Sequence, residues 1–352
     1  MATLTARAPS DNAEAERKNP RENVRNAEPR CRISVIIPSF NCASTIGELI
    51  CALISAPPTL PWEIVVADNG SADESRAVVD RWQRSNAIVR WVDASIQPGP
   101  GFARRVGAAS ACGDFLMFID ADDLPAPGYL DAMASALELE PVVHAHVSTD
   151  VVNEGPIAAN WRSPGDGLIN EGAWPFPLGG TLGIRRSVYE EIGGFAADFP
   201  ASEDSDFGWR LLVHGYQVAA VPRAVLWYRL RSAPRSIFRQ YRYYGRCQGY
   251  TNRMWRSRNP TIDRDRELFR RASAVMRNVR MITSTEGRRL LAPEVGAILG
   301  RTEGALRWTG RTIRDPLDLA DPRTDPLLAQ FRRQAADRRQ RLNEDWRNSR
   351  LT

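Results

Sequence analysis

The stretch FLMFIDADDLPAPGYL, residues 115–130, places three carboxylates, Asp120, Asp122 and Asp123, within four positions, directly after a run suited to the interior of a sheet. Like charges a few ångströms apart repel by about 1 kcal/mol or more per pair unless a cation or a cluster of donors sits among them. A buried strand that ends in such residues points to a metal or phosphate site, because open α/β sheets bind ligands beyond the carboxyl ends of their strands. Three further segments end in polar residues suited to a nucleotide: Pro38-Ser39-Phe40-Asn41, Asp68-Asn69-Gly70-Ser71, and PGPGFARR over 98–105. An Asp at a strand end can accept from a base imide, Arg104 can meet a phosphate, and an Asp pair can hold a divalent cation that bridges two phosphates. A second acidic pair, Glu203-Asp204, opens a predicted helix over 204–214, where the helix N-terminus favours the charged form of Asp204. Asp206, two residues on, points about 160° away around that helix.

The elements that would carry these residues are legible as an alternation. Short β-rich runs (RISVII, WEIVVA, IVRWV, DFLMFI, VVHAHV) are separated by helical segments over 44–55, from Ser71, over 101–112 and after Pro127. Strict alternation predicts βαβ units and a mainly parallel sheet, which would bring four polar strand ends to one edge. Ser71 is the expected N-cap of its helix, with Asp73 and Glu74 in the first turn. A Gly-, Pro- and Trp-rich stretch to about residue 183 has the character of a binding loop. Helices are expected over 185–192 and 204–214, a strand over 216–221, and helix throughout the Arg-rich remainder. Gly179 and Gly180 either turn the chain or, with Trp174, form a wall of the site. His144 and His146 alternate in a strand and His214 precedes a glycine at a helix end, placements that fit packing or capping rather than metal ligation.

The segments VIIPSFN, VVADNGSAD, GFARRVGAASACGDFLMFIDADD, GGTLGIRRSVYEEIGGF and EDSDFGWRLLVHGYQV resemble, in order and spacing, the inverting family 2 glycosyltransferases of the GT-A fold over roughly residues 32–230. The resemblance implies an α/β fold, a Rossmann-like mixed sheet flanked by helices, followed here by a helical Arg-rich extension. It implies a metal-dependent hexosyltransferase that moves a sugar from a UDP- or GDP-sugar to a hydroxyl acceptor with inversion. Carried over residue by residue, Pro38 and Phe40 flank the base, Asp68 binds it, and Arg104 sits near the base or phosphates. Asp120 and Asp122, with Ala121 between them, form the DxD motif, Asp120 toward the ribose and Asp122 on Mg²⁺ or Mn²⁺, and Asp204 matches the catalytic base. Two positions depart from the pattern. Asn69 stands where the family often has a second Asp, and LWYRLR (226–231) lacks the His that many relatives place after the last strand. The expected organisation is a disordered leader over 1–30, a glycosyltransferase domain over 31–232 with a nucleotide half (31–123) and an acceptor half (124–232), and a helical basic region over 233–352.

Composition narrows the alternatives. Of 352 residues, 43% are hydrophobic and 25% charged, with a net charge of +5, values ordinary for a globular protein. Five cysteines without a CxxC pattern fit free thiols in a reducing compartment. Lys18 is the only lysine in the chain, which excludes a Walker-type phosphate loop. It also weakens the rival reading as a haloacid dehalogenase-like phosphohydrolase, which needs a lysine after its DxD strand; a non-catalytic nucleotide-sugar binding module is the other alternative. Residues 231–300 carry sixteen arginines against five acids. Within them, 266–282 (RELFRRASAVMRNVRMI) sets Leu268, Phe269, Ala272, Val275, Met276 and Val279 on one helical face, suited either to an anionic membrane surface or to packing on the catalytic half or a second subunit. A nucleic-acid partner is not expected, since nothing beside the charge matches a recognition module. The expected setting is cytoplasmic, at the inner face of the cell membrane if the helix docks there, with a lipid-linked acceptor in polysaccharide or glycolipid assembly.

Overall fold

The computed structural model describes residues 31–153, 168–169, 174–197, 201–259, 264–308, 315–318 and 321–349; the leader expected over 1–30, and much of the Gly-, Pro- and Trp-rich stretch, lie outside them. Eight strands form one sheet: β1 (Ile33–Ser39), β2 (Trp62–Asp68), β3 (Val89–Asp93), β4 (Phe115–Phe118), β5 (Leu124–Pro125), β6 (Val142–Ser148), β7 (Leu182–Arg185) and β8 (Ala219–Trp227). Their spatial order is β3-β2-β1-β4-β7-β6-β8-β5. The helices are α1 (Ile46–Ser55), α2 (Ser75–Ser85), α3 (Pro100–Ser110), α4 (Tyr129–Leu139), α5 (Arg186–Glu191), α6 (Glu203–Val213), α7 (Pro234–Trp255), α8 (Arg264–Asn278), α9 (Thr285–Trp308) and α10 (Ala329–Ser349).

The first four strands are parallel, as their alternation with helices requires. Their register brings the polar ends level: Ser39 pairs with Asp68 and Asp68 with Asp93, while Ile119 N–H donates to the Ile36 carbonyl at 3.1 Å and carries the Asp cluster to the same edge. Beyond β4 the sheet is mixed, since β7 runs antiparallel between β4 and β6. Sequence periodicity could not find β7: four residues with Gly183 in the middle are too short to show a period. The strand expected over 216–221 instead runs from Ala219 to Trp227, where its end pairs with β5.

Both faces of the sheet are covered. Ile33, Val35 and Ile37 pack on α1 and α4, while Ile36, Leu116 and Phe118 face Phe102 and Val106 of α3 and Phe207 and Leu211 of α6. Truncating one such fully buried side chain to Ala costs about 2–5 kcal/mol. The C-terminal region is welded to this body. Leu328 and Phe331 join the core beside α3, Arg105 pairs with Asp325 at 3.0 Å, and Arg338 reaches Glu63 at 3.1 Å. Burial alone would raise the Glu63 carboxyl, but Arg90 and the Cys112 amide outweigh it and hold it below the usual range. In α9, Gly296, Gly300 and Gly304 are four residues apart and face α7; a Cβ at Gly300 would lie 2.0 Å from the Arg242 carbonyl oxygen, so the two helix backbones touch. No helix among the described residues is long and apolar enough to cross a membrane.

Candidate active site

The four strand ends open onto a cleft of about 1560 Å³. Pro38, Phe40, Arg104, Asp120, Ala121, Asp122 and Asp204 all line it. Seven of the eight residues singled out from sequence thus converge, and Phe40 presents its ring to solvent at 62% exposure. Asp68 is the exception. It is buried behind the rim, with Oδ1 accepting from Ser39 Oγ at 3.3 Å and Ser71 Oγ at 2.5 Å, and Oδ2 from the Ser71 amide at 3.1 Å. That engagement also corrects the expected helix cap: Ser71 is committed to Asp68, and α2 begins at Ser75, whose amide and hydroxyl bond to Asp73.

Asn69 is explained by its contacts. Its Nδ2 donates to the carbonyls of Ala94 at 2.6 Å and Gln97 at 2.8 Å, and its Oδ1 accepts from the Gly99 amide at 2.7 Å. An Asp could not make the two donations. The amide therefore fixes the segment after β3 that brings Pro98, Gly99 and Pro100 to the cleft.

Arg104, on α3, is the electrostatic hub. It is 3% exposed, donates through one terminal nitrogen to Asp120 Oδ1 at 2.5 Å and through the other to Glu203 Oε1, and lies 5.5 Å from the Phe195 ring centroid. Burial opposes its charge, yet Asp120 and Glu203 more than compensate and raise its pKa. With both terminal nitrogens on carboxylates, Arg104 ties the end of β4 to the start of α6. Gly179 and Gly180 permit this closeness, since a Cβ at Gly180 would stand 2.8 Å from Asp120 Cγ and one at Gly179 2.9 Å from Arg104 Cζ. Trp174 does not join them at the cleft. It packs edge-on against Trp255, and its carbonyl accepts from Trp209 Nε1 at 2.7 Å.

The acidic groups around Arg104 are under tension. Asp122 reaches the cleft surface in crowded surroundings, and this crowding, with Asp120 beside it, raises its pKa. Asp123 is buried and raised further by its desolvation; Oδ1 accepts from the Arg229 amide at 2.8 Å and Oδ2 has no hydrogen-bond partner among the described residues. Burial also raises Asp204, against the pull of Arg104 and the Ser205 amide at 2.8 Å, so here desolvation outweighs the helix N-terminus. Glu203 is pushed up to about 7, by burial first and by Asp204 next. The residue before the pair, Ser202, sits at φ 64°, a left-handed conformation that costs of order 1 kcal/mol and aims the pair into the cleft. Asp206, in contrast, is fully spent on Arg210 at 2.9 Å and Trp255 Nε1 at 2.9 Å, outside the cleft.

The opposite wall was not legible in the sequence. It consists of Tyr228, Arg229 and Arg231 after β8, with Gln240, Tyr241, Tyr244 and Gln248 on one face of α7. Arg229 donates to the Asp122 carbonyl at 2.9 Å and pairs with Glu48 at 2.9 Å, holding the LWYRLR segment against the Asp cluster. The spacing 241, 244, 248 was the available signal, hidden because aromatic residues at that period ordinarily mark a core face. The histidines stay outside the cleft: His144 is buried in β6, and His214 caps the end of α6, its Nδ1 2.8 Å from the Arg210 carbonyl.

Residues 34–196 match the model of the family described as glycosyl transferase family 2. The chain is similar to an uncharacterised glycosyltransferase of Nostoc sp., 28% identical over 171 residues that cover 46% of this chain and 53% of that protein. It is also similar to the succinoglycan biosynthesis protein ExoA of Rhizobium meliloti, 27% identical over 224 residues, 60% of this chain and 67% of that one. The chain spans about half the length of the curated relatives it matches. Among solved structures, the mannosyltransferase PcManGT of Pyrobaculum calidifontis, in complex with GDP-Man and Mn²⁺, has a TM-score of 0.53 at 20% identity, covering 80% of this chain and 88% of that one. The sheet order and these likenesses agree: over residues 34–196 the chain matches glycosyl transferase family 2.

Proposed function

We propose that the protein is an inverting glycosyltransferase that moves a hexosyl group from a nucleoside diphosphate sugar to a hydroxyl acceptor. The observation that carries this reading is the junction at Arg104, which holds the Asp120 strand end and the Glu203-Asp204 helix start in one cleft. Inversion is a single in-line displacement. The acceptor oxygen bonds to the anomeric carbon, the bond from that carbon to the diphosphate oxygen breaks, the electron pair leaves with the nucleoside diphosphate, and the hydroxyl proton passes to Asp204. A carboxylate whose pKa is raised by burial is a better base than an ordinary one. Pro38 and the exposed Phe40 ring flank the base of the donor, and Asp68 acts at the base through the rim it braces. Asp120 faces the ribose, with the Ala121 backbone beside it.

Asp122, with Asp120, would hold Mg²⁺ or Mn²⁺. The donor set fits: hard oxygen ligands, a raised Asp122 and an unpartnered buried oxygen on Asp123 are what a divalent cation relieves. When bound, the ion supplies charge stabilisation for the leaving diphosphate. Arg231, exposed at the same wall and lowering the Asp122 carboxyl by its charge, adds a cation where many relatives have a His.

ExoA is by its name a polysaccharide-assembly protein, and PcManGT holds a GDP-sugar. The first supports a role in polysaccharide assembly and the second a nucleotide-sugar donor; a UDP- or GDP-sugar donor, a lipid-linked acceptor and a polysaccharide or glycolipid product complete the proposal. The experiment is a panel of nucleotide sugars read by thermal shift and by hydrolysis, with and without Mn²⁺. Stabilisation by UDP- or GDP-hexoses that depends on Mn²⁺ is expected. A response to none of them, or phosphatase turnover of simple phosphoesters, overturns the reading.

A further inference from the structure

Helix α8 and the 3-10 turn after it (Val279–Thr283) are mounted with their apolar side outward. Periodicity puts Phe269, Met276 and Val279 on one face, the face that normally packs inward. Here Phe269 is 75% exposed, Met276 73% and Ile282 54%, and Leu268, Val279 and Met281 are also exposed. The side turned to the body carries an arginine instead. Arg271 is 6% exposed and pairs with Glu267 at 2.7 Å and with Glu294 of α9 at 3.1 Å. A helix that buries its arginine and exposes its phenylalanine has an unmet partner.

We propose that this surface docks on an anionic lipid bilayer. Residues 268–285 contain four arginines and no acidic residue; Arg270 and Arg271 are paired with Glu267, just before the segment, and the charge that faces outward is that of Arg277 and Arg280. Arg277 and Arg280 flank the apolar row at the surface. A second copy meeting this patch about a two-fold axis would set those arginines against their own counterparts, with no acid in the segment to offset them. An anionic headgroup layer supplies the missing charge, and its acyl boundary takes the exposed Phe, Met and Ile side chains. The same helix contributes Ala274 and Asn278 to the cleft wall, so docking would bring the cleft to the lipid surface, where a lipid-linked hydroxyl is presented. That last consequence rests on the glycosyltransferase reading; the docking itself does not.

The test is co-sedimentation of the full chain with vesicles of phosphatidylcholine alone and of phosphatidylcholine with phosphatidylglycerol, at two salt concentrations. Binding is expected only to the anionic vesicles, and weaker at high salt. Phe269→Ser with Met276→Ser, and separately Arg277→Glu with Arg280→Glu, are expected to weaken partitioning at least about tenfold with unchanged circular dichroism, melting and nucleotide affinity. Equal binding by the variants, or no anionic binding by the wild type, overturns the proposal. So does a dimer in light scattering that the Phe269→Ser, Met276→Ser variant breaks while vesicles remain unbound. Because vesicle binding is read without a sugar donor, a failed nucleotide-sugar panel with intact vesicle binding would sink the enzymatic reading alone.

Discussion

The two halves of the cleft handle their carboxylates in opposite ways. At the ends of β1 and β2, Asp68 and Asp73 are satisfied by backbone amides and hydroxyls of Ser39, Ser71 and Ser75 and by the Ala43 amide, and Asp73 titrates below the usual range because its bonds from Ser75 and Ala43 together outweigh its desolvation. At the end of β4 and the start of α6, Asp123, Glu203 and Asp204 are raised by burial and the surface Asp122 by its crowded surroundings and Asp120, with Arg104 the buried cation between them. The first half is a finished hydrogen-bond network, and its carboxylates set geometry. The second stores electrostatic tension that a cation or a transferred proton would relieve, and perturbed groups in a cleft are candidates for chemistry.

The comparison breaks most sharply at Asp204. Asp204→Asn keeps the shape but cannot accept a proton, so turnover should fall about 10²- to 10⁴-fold while donor affinity, measured separately by calorimetry, stays near wild type. Asp206→Asn should instead cost stability, since it loosens Arg210 and Trp255, and spare the turnover of the folded fraction. If Asp206→Asn is the inactive variant at full fold, the tension lies on the wrong carboxylate.

A smaller effect is expected at Asp122. Asp122→Ala should stay folded and, by relieving repulsion with Asp120, melt slightly higher, yet lose the Mn²⁺-dependent part of nucleoside diphosphate binding. Unchanged affinity with Mn²⁺ present would remove Asp122 from any metal role.

The tension should also be visible in stability against pH. The folded pKa of Glu203, about 7, lies above its ordinary 4.5. The folded state therefore holds this proton more tightly, and the contribution is fully present below about 4.5 and lost as pH rises through about 7. Melting temperature should decline across that window in the wild type and decline less in Glu203→Gln. Parallel curves for the two proteins would show that Arg104 keeps Glu203 ionised throughout.

Sequence periodicity found the parallel half of the sheet, because βαβ alternation is a local signal, and the convergence of polar strand ends pointed to the cleft edge; Ala121 and Asp204 came from the family resemblance. It missed β7, whose place is set by partners on both sides rather than by its own four residues. It missed the α7 wall, whose Tyr and Gln face a cleft instead of a core. It identified the apolar face of α8 correctly but could not say which way that face points, since the deciding pair, Arg271 with Glu294, joins α8 to a separate helix, α9. Charge at Asn69 was likewise the wrong quantity to weigh; what the position needs is a donor.

That need gives the smallest and most discriminating test of the finished half. Asn69→Asp restores the acid that relatives often carry, and a reading based on charge would predict no harm. The hydrogen bonds predict otherwise. The carboxylate can still accept from the Gly99 amide, but the Ala94 and Gln97 carbonyls, now facing an anion, lose their donor. A stability loss of about 1 kcal/mol is expected, read as a lower denaturation midpoint with unchanged slope. Because Pro98, Gly99 and Pro100 reach the cleft from this segment, nucleotide affinity should also weaken severalfold, while the melting difference between Asp204→Asn and wild type is carried over unchanged into the Asn69→Asp background. Wild-type stability and affinity in Asn69→Asp would mean that the loop after β3 is held by something other than this amide, and that the contrast between a fixed half and a tense half is drawn in the wrong place.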